Sequence, residues 1–557
     1  MDDAIYKAFL TEMEELEKFR MAYAALHPRA PLGREDQDVR RLIEAVAFFT
    51  ARTRLAGQRS ILRSTLRLFR QHFSFVLNPL PSMGLMRART DARFVDAAEV
   101  PRGALVSVSR PTPPGALQEP APLQYRTAAA LRLLPVRLEG VDTWRRGPRE
   151  GQRVMLRFAA AFPRNESPGV VRLYVRHLGE FASSLAAHYH LKTALFGASV
   201  VFDAPVGEDT QGTPCRVRFG APPVSPEESE AFEHPLQKTR SFFQFPEQSL
   251  FMDVELPEPP RNWRTFTVCM ELSPRFPAQL RLNADSFEMN VVPMVNAVRQ
   301  TANPVEWDGT RTQQLLTHPD AGAGYRLHAL MGAYRLDEAL GLVPLRPGAV
   351  EGGESTYELD VEGAGPDRRA WLTVDLPGAF DSPVVVSVEG TWYQPLAQPL
   401  DPAASRVRPA DRHLEGVQWD CLGALSASSD NALGKSQDGL LRLLSLKNQR
   451  FLGLEDLQFL LSALGAAEVR HFRELLPLLA GLQVSTLPFA KAGSGFKYVY
   501  RLHVAEMDPY LLPVLDLFSA QLLELLRAWS TEEIVELLVT IPNLELEQAY
   551  PQPEMRP

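Results

Sequence analysis

Cysteine is almost absent from this sequence. Cys215, Cys269 and Cys421 are three in 557 residues, widely spaced and odd in number. They support neither a disulfide framework nor a thiolate zinc site, which favours a reducing compartment. No run of about 18 apolar residues occurs, so no helical membrane span and no direct membrane insertion is expected. An excess of basic charge is lacking too. The net charge is −8, and the chain as a whole is not a nucleic-acid binder by charge. The first segment, MDDAIYKAFLTEMEELEKF, is acidic and amphipathic, unlike a secretory signal. Together these features predict a cytoplasmic protein. No repeat at a solenoid period is visible.

Proline, in contrast, is plentiful, with 46 residues marking loops and strand ends. At roughly 100–200 residues per domain the length predicts three or four domains. The composition is otherwise that of an ordinary globular chain, 45% hydrophobic and 23% charged.

Helical periodicity dominates the first 90 residues. Residues 2–26 read as a first helix, broken by Pro28, Pro31 and Gly33. The next stretch carries Val39, Leu42, Ile43, Val46 and Phe49, then Ile61, Leu62, Leu66, Phe69 and Phe73, at three-and-four spacing. It reads as one long or two shorter helices hinged near Gly57, stopped by Asn78-Pro79-Leu80-Pro81. Its length exceeds what a neighbouring domain would cover. Val39, Leu42, Ile43, Val46, Phe49, Ile61, Leu66, Phe69 and Phe73 are therefore the expected partner-binding residues. Beyond Gly57 come Arg59, Arg63, Arg67 and Arg70 with no acid before Asp91, a basic face that suits solvent or an acidic partner.

From about residue 90 the period drops toward two. VPRGALVSV, QRVMLRFAAAF, VVRLYVRHL and FTVCMEL read as strands, with a helix over Glu180–Leu195 and a dense aromatic cluster at Phe242, Phe243, Phe245 and Phe251. Short strands separated by Pro/Gly turns over 303–420 predict a sandwich or barrel-like unit. Residues 395–412 read as a linker. Beyond it helices and strands mix, with a long apolar helix from Asp508 or Pro509 and a last ordered element at 533–543. The fold class is α+β and multidomain: a helical arm (1–90), a β-rich domain with inserted helices (91–275), a β-sandwich-like domain (276–410) and a C-terminal α+β domain (411–557).

No catalytic, cofactor-binding or metal site is expected. SDNALGKS (429–436) approaches a phosphate-binding loop through Gly434, Lys435 and Ser436. Ser429 stands where the first glycine belongs, so the favoured reading is a polar surface loop. His177, His188 and His190 lack a companion carboxylate or thiol at metal-ligand spacing. AGSGF (492–496) is not the nucleophile elbow G-x-S-x-G and reads as a hairpin turn. The alternative function is a soluble nucleotide-binding protein or enzyme using the 429–436 loop.

Several segments together resemble the TssF family, a baseplate subunit of the type VI secretion system. They are DQDVRRLIEAVAFFTARTR, LPSMGLMR, VPRG and YRTAAALRLLPVRL, then FFQFPEQSLFMDVEL and LRLNADSFEMNVVPMVNAVRQTANPVEWD, and finally GSGFKYVYRLHVAEMDPYLLPVLDLFSAQL. They are scattered but collinear over about 35–545. The basic LAGQRSILRS departs from the family's acidic, proline-containing segment. The resemblance implies a non-enzymatic wedge scaffold, related to phage contractile-tail baseplates. It implies a second copy of the chain, one TssG-like subunit, TssE-like and TssK-like subunits and a VgrG-like spike as partners, and a place at the cytoplasmic face of the inner membrane.

Overall fold

Short β-branched runs punctuated by proline and glycine build a large part of this chain into mainly antiparallel sheets. The computed structural model describes residues 3–28, 37–111, 120–147, 151–207, 210–224, 235–337, 339–348, 355–376, 383–409, 414–430, 433, 436–447, 449–489, 495–530 and 534–550. The helices among them are α1 (Asp3–Leu26), α2 (Gln37–Leu77), α3 (Phe181–Ala194), α4 (Pro235–Gln244), α5 (Gln437–Leu446), α6 (Leu454–Ala463), α7 (Arg470–Leu475) and α8 (Leu512–Ser530). The chain divides into two compact units, 1–74 with 432–447, and 75–431 with 448–557.

The first unit is the helical arm. Glu12 of α1 and Arg54 of α2 form an ion pair at 2.8 Å. Ala47 and Ala51, four residues apart, are fully buried. Small side chains one turn apart let a neighbouring backbone approach closely. The hinge expected near Gly57 is absent: α2 runs through it, and a Cβ there would meet open space. A lone glycine costs a helix only about 0.5–1 kcal/mol relative to alanine and does not stop it. The irregularity falls instead at Phe73, whose φ of −136° and ψ of 42° leave the helical region.

The second unit contains three β assemblies and a mixed C-terminal part. A six-stranded sheet runs in the order Arg406–Pro409, Leu105–Ser109, Leu123–Thr127, Val291–Val295, Met83–Thr90, Val417–Cys421. It draws strands from all four of the segments expected as domains, so cuts at 90, 275 and 410 do not coincide with its limits. Within the stretch 395–412 expected as a linker, Arg406–Pro409 is a strand paired with Leu105–Ser109. Arg87 fastens this sheet, lying 2.7 Å from both Asp420 and Glu288. Those carboxylates hold its guanidinium firmly charged, Asp420 most strongly.

A five-stranded sheet centred on Trp263–Leu272 faces a four-stranded sheet centred on Phe251–Glu255 and Val170–Val175. Both line one core with Ala187 and Leu191 of α3, and Phe158 stacks on Phe266 at 4.7 Å inside it. The described strands between Val298 and Tyr393 build a second sandwich, whereas Arg406–Pro409 and Val417–Cys421, also within the 303–420 stretch expected as such a unit, belong to the six-stranded sheet. A sheet around Val384–Tyr393 and another around Arg369–Asp375 share the core of Trp307, Leu372, Val386 and Trp392.

The C-terminal sheet orders Leu479–Phe489, Gly495–Val504, Val535–Ile541 and Leu546–Tyr550. Its middle pair is parallel, which demands a crossover, and α8 supplies it. The last strand extends the ordered part beyond the expected end at 543. Asp508 makes no side-chain cap; it precedes a 3-10 turn at Pro509–Leu511 that leads into α8. The aromatic cluster closes the helical layer. Phe243 of α4 meets Phe472 of α7 at 5.3 Å, and Phe472 meets Phe518 of α8 at 6.2 Å. Such pairs add about 0.5–1.5 kcal/mol each beyond the area they bury.

Candidate interaction interface

The arm carries apolar side chains on two faces. Leu42 is 65% exposed, Val46 43% and Phe49 64%, at a spacing that forms one ridge along α2. Leu42 and the buried Ala51 are nine residues apart, about two and a half turns, so this ridge runs along the side opposite the buried alanines. Tyr6, Leu10, Phe19 and Met21 of α1 are exposed as well. A leucine or phenylalanine moved from water into an apolar contact gains about 1.5–3 kcal/mol. Three such side chains along one side of α2 make this ridge a candidate contact surface.

The structure separates the expected partner-binding residues. Leu42, Val46, Phe49 and Ile61 are exposed, Ile43 and Leu66 half-buried, and Phe69 and Phe73 buried. The side chain of Val39 lies outside the described residues. The physical reason is helical drift: Leu42 and Phe69 are twenty-seven residues apart, about seven and a half turns, and cannot share a face. Of the basic face, the side chains of Arg59, Arg63 and Arg67 are outside the described residues, and Arg70 is half-buried.

The chemical candidates resolve into structural roles. In the 429–436 loop, Gly434 and Lys435 lie outside the described residues. Ser436 is the N-cap of α5, its Oγ accepting from the Gly439 amide at 3.1 Å. Ser429 forms a two-way backbone bridge with Leu80, at 2.7 and 3.0 Å. Among the described residues no cluster of three metal-ligating side chains is found. The three histidines diverge. His188 is buried, contacts the Phe251 carbonyl at 3.2 Å, and burial pushes it down to about 4. His177 faces Ser286 at 3.4 Å, and His190 lies beside the Phe276 ring. Burial lowers both of these. Burial also raises the Cys215 and Cys421 thiols to about 12, which leaves them unreactive. Of AGSGF, residues 492–494 lie outside the described residues, and Gly495 opens a strand. The expected disordered tail at 551–557 is also outside them. Among the described residues no helix is long and apolar enough to cross a membrane.

What sequence reasoning missed is how the arm is rooted. Residues 75–81 are gripped by side chains distant in sequence. Arg240 donates to the carbonyls of Phe75 and Asn78, the latter at 3.0 Å, and Gln244 donates to that of Pro81 at 2.8 Å. Only the prolines at 79 and 81, which remove the i+4 amide donors of the Phe75 and Leu77 carbonyls, hinted at such a need.

A family profile described as "Type VI secretion system, TssF" matches residues 1–330. Two solved assemblies contain chains of similar fold. One is the TssK-TssF-TssG baseplate subcomplex of the type VI secretion system seen by cryo-electron microscopy. There the identity is 17%, the TM-score 0.72, and the match covers 93% of this chain and 99% of that one. The other is the baseplate complex from the type VI secretion system, at 17% identity and a TM-score of 0.58, covering 99% of this chain and 100% of that one. No curated protein sequence matches.

Proposed function

This chain belongs to the TssF family of the type VI secretion system, and from that premise we propose that it is a structural subunit of the baseplate. It assembles with a TssG-like and a TssK-like subunit, as the TssK-TssF-TssG assembly of similar fold does. The observation that carries this reading is the exposed ridge of Leu42, Val46 and Phe49. That ridge fits a second amphipathic helix laid along it, the helix-on-helix mode of recognition.

The finer reading is a wedge in which two copies of this chain join one TssG-like subunit. TssE-like and TssK-like subunits attach to it, and six wedges surround a VgrG-like spike at the cytoplasmic face of the inner membrane. The helical arm of each copy contributes to a shared bundle. The role is scaffolding, without catalysis.

Co-expression with a TssG-like subunit tests this directly. The wild-type chain co-purifies with it, and Leu42→Asp does not. Retention of the partner by Leu42→Asp together with Val46→Asp moves the interface away from this ridge.

A further inference from the structure

Residues 75–81, at the root of the arm, are held by side chains far away in the sequence. Pro79 has no amide hydrogen, so the Phe75 carbonyl, four residues earlier, lacks its i+4 donor and accepts instead from the Asn78 amide at 3.3 Å. Pro81 likewise removes the i+4 donor of the Leu77 carbonyl. Arg240, 2% exposed, reaches from α4 to the Phe75 and Asn78 carbonyls. Among the described residues it makes no ion pair with a carboxylate. A cation at a helix C-terminus is instead stabilised by the carbonyls it meets. Gln244, one turn further along α4, bonds the Pro81 carbonyl and, at 3.2 Å, that of Ala427. Leu80 is bridged to Ser429.

We propose that Arg240 is a positioning residue for assembly: its guanidinium fixes residues 75–81 in the one conformation from which the arm engages a partner helix. The proposal rests on the arm reading above. A buried arginine spent on backbone carbonyls is a costly way merely to fill space, since burial of an unpaired charge opposes folding. Its geometry serves one end. Two guanidinium nitrogens hold two carbonyls three residues apart, Phe75 in the last turn of α2 and Asn78 just beyond its end, and so fix the path by which the chain leaves the helix.

Hydrogen exchange on the full-length chain alone reads the anchoring without a partner. In Arg240→Met the Asn78 and Leu80 amides exchange about tenfold faster or more than in wild type. Arg240→Lys, which restores one cationic donor, falls between. Gln244→Leu, which removes the Pro81 and Ala427 contacts and leaves those of Arg240, speeds Leu80 by less and carries the test if Arg240→Met does not fold. Complex formed with the TssG-like subunit drops about fivefold or more in Arg240→Met, because only the fraction in the competent conformation binds, and it recovers partly in Arg240→Lys. Unchanged exchange at residues 75–81 in the variants overturns the proposal, as does faster exchange with undiminished complex. If the wild-type chain takes up no TssG-like subunit, the arm reading fails and the assembly role of Arg240 with it; exchange that still separates the variants identifies that case.

Discussion

The ammonium of Lys192, near the end of α3, lies 2.8 Å from the carboxylate of Asp516, near the start of α8. The other oxygen of Asp516 accepts from the Tyr550 hydroxyl at 2.9 Å and from Gln548 at 3.2 Å. One buried carboxylate thus ties the central sandwich to the crossover helix and to the last strand. Burial and the neighbouring Asp516 hold the Tyr550 phenol protonated. Removing one member of a buried pair costs about 3–5 kcal/mol, because the other is left charged and dry. Asp516→Leu lowers the unfolding free energy of the second unit by an amount in that range, with a correspondingly lower denaturation midpoint. The Asp516→Leu, Lys192→Met double variant recovers part of the loss. Equal midpoints for wild type and Asp516→Leu contradict this.

The two faces of α2 respond oppositely to substitution. Phe69 is fully buried and Phe49 is 64% exposed. Phe69→Ala costs about 3–5 kcal/mol. Phe49→Ala stays within about 0.5 kcal/mol of wild type in the isolated chain, yet weakens partner binding. Chemical denaturation of the two variants side by side separates the faces.

Acid sensitivity follows from the buried histidines. In the folded chain burial lowers His188 to about 4 and His328 to about 3, from an ordinary value of 6.5. Three arginines, at 240, 368 and 126, add to the lowering at His328. Unfolding releases a histidine that takes a proton below pH 6.5. The stability due to keeping each ring neutral is therefore full above that pH. It is lost as pH falls toward 4 for His188 and toward 3 for His328. The slope is about 1.4 kcal/mol per pH unit for each. His188→Leu flattens the midpoint-against-pH curve between pH 6.5 and 4, and an unchanged curve contradicts the assignment.

Ser436 distinguishes a helix cap from a phosphate-binding loop. Ser436→Ala removes the cap of α5 and costs about 1 kcal/mol of stability. Titration of the wild-type chain with a nucleoside triphosphate and magnesium gives no saturable signal. Saturable binding that Lys435→Ala abolishes revives the nucleotide reading.

Much of this fold was legible in sequence because its local signals agree. Three-and-four spacing marked α1 and α2, and alternation with Pro/Gly turns marked the sandwich of residues 298–393. Long-range placement was hidden. Arg406–Pro409 resembles a linker because two of its four residues are arginines and one is a proline, yet it is a sheet edge, where proline and charge are tolerated. The arm was half legible. Hydrophobic spacing finds Leu42, Val46 and Phe49 readily but passes over Ala47 and Ala51, whose small side chains mark the buried face. Chaining three- and four-residue steps across α2 joined Phe69 and Phe73 to the wrong ridge, because small departures from 3.6 accumulate over many turns. The Arg240 contacts are out of reach of any local pattern, since more than 160 residues separate donor from acceptor.

The central claim is that the ridge of Leu42, Val46 and Phe49 joins this chain to its baseplate partners. The most direct measurement is the native mass of the complex formed on co-expression with a TssG-like subunit, for the wild type and for Leu42→Asp. The account predicts a stable complex of two copies of this chain with one partner for the wild type. For Leu42→Asp it predicts free, folded chain with an unaltered denaturation midpoint. A complex of the same mass from Leu42→Asp, or a variant that is unfolded throughout, contradicts it.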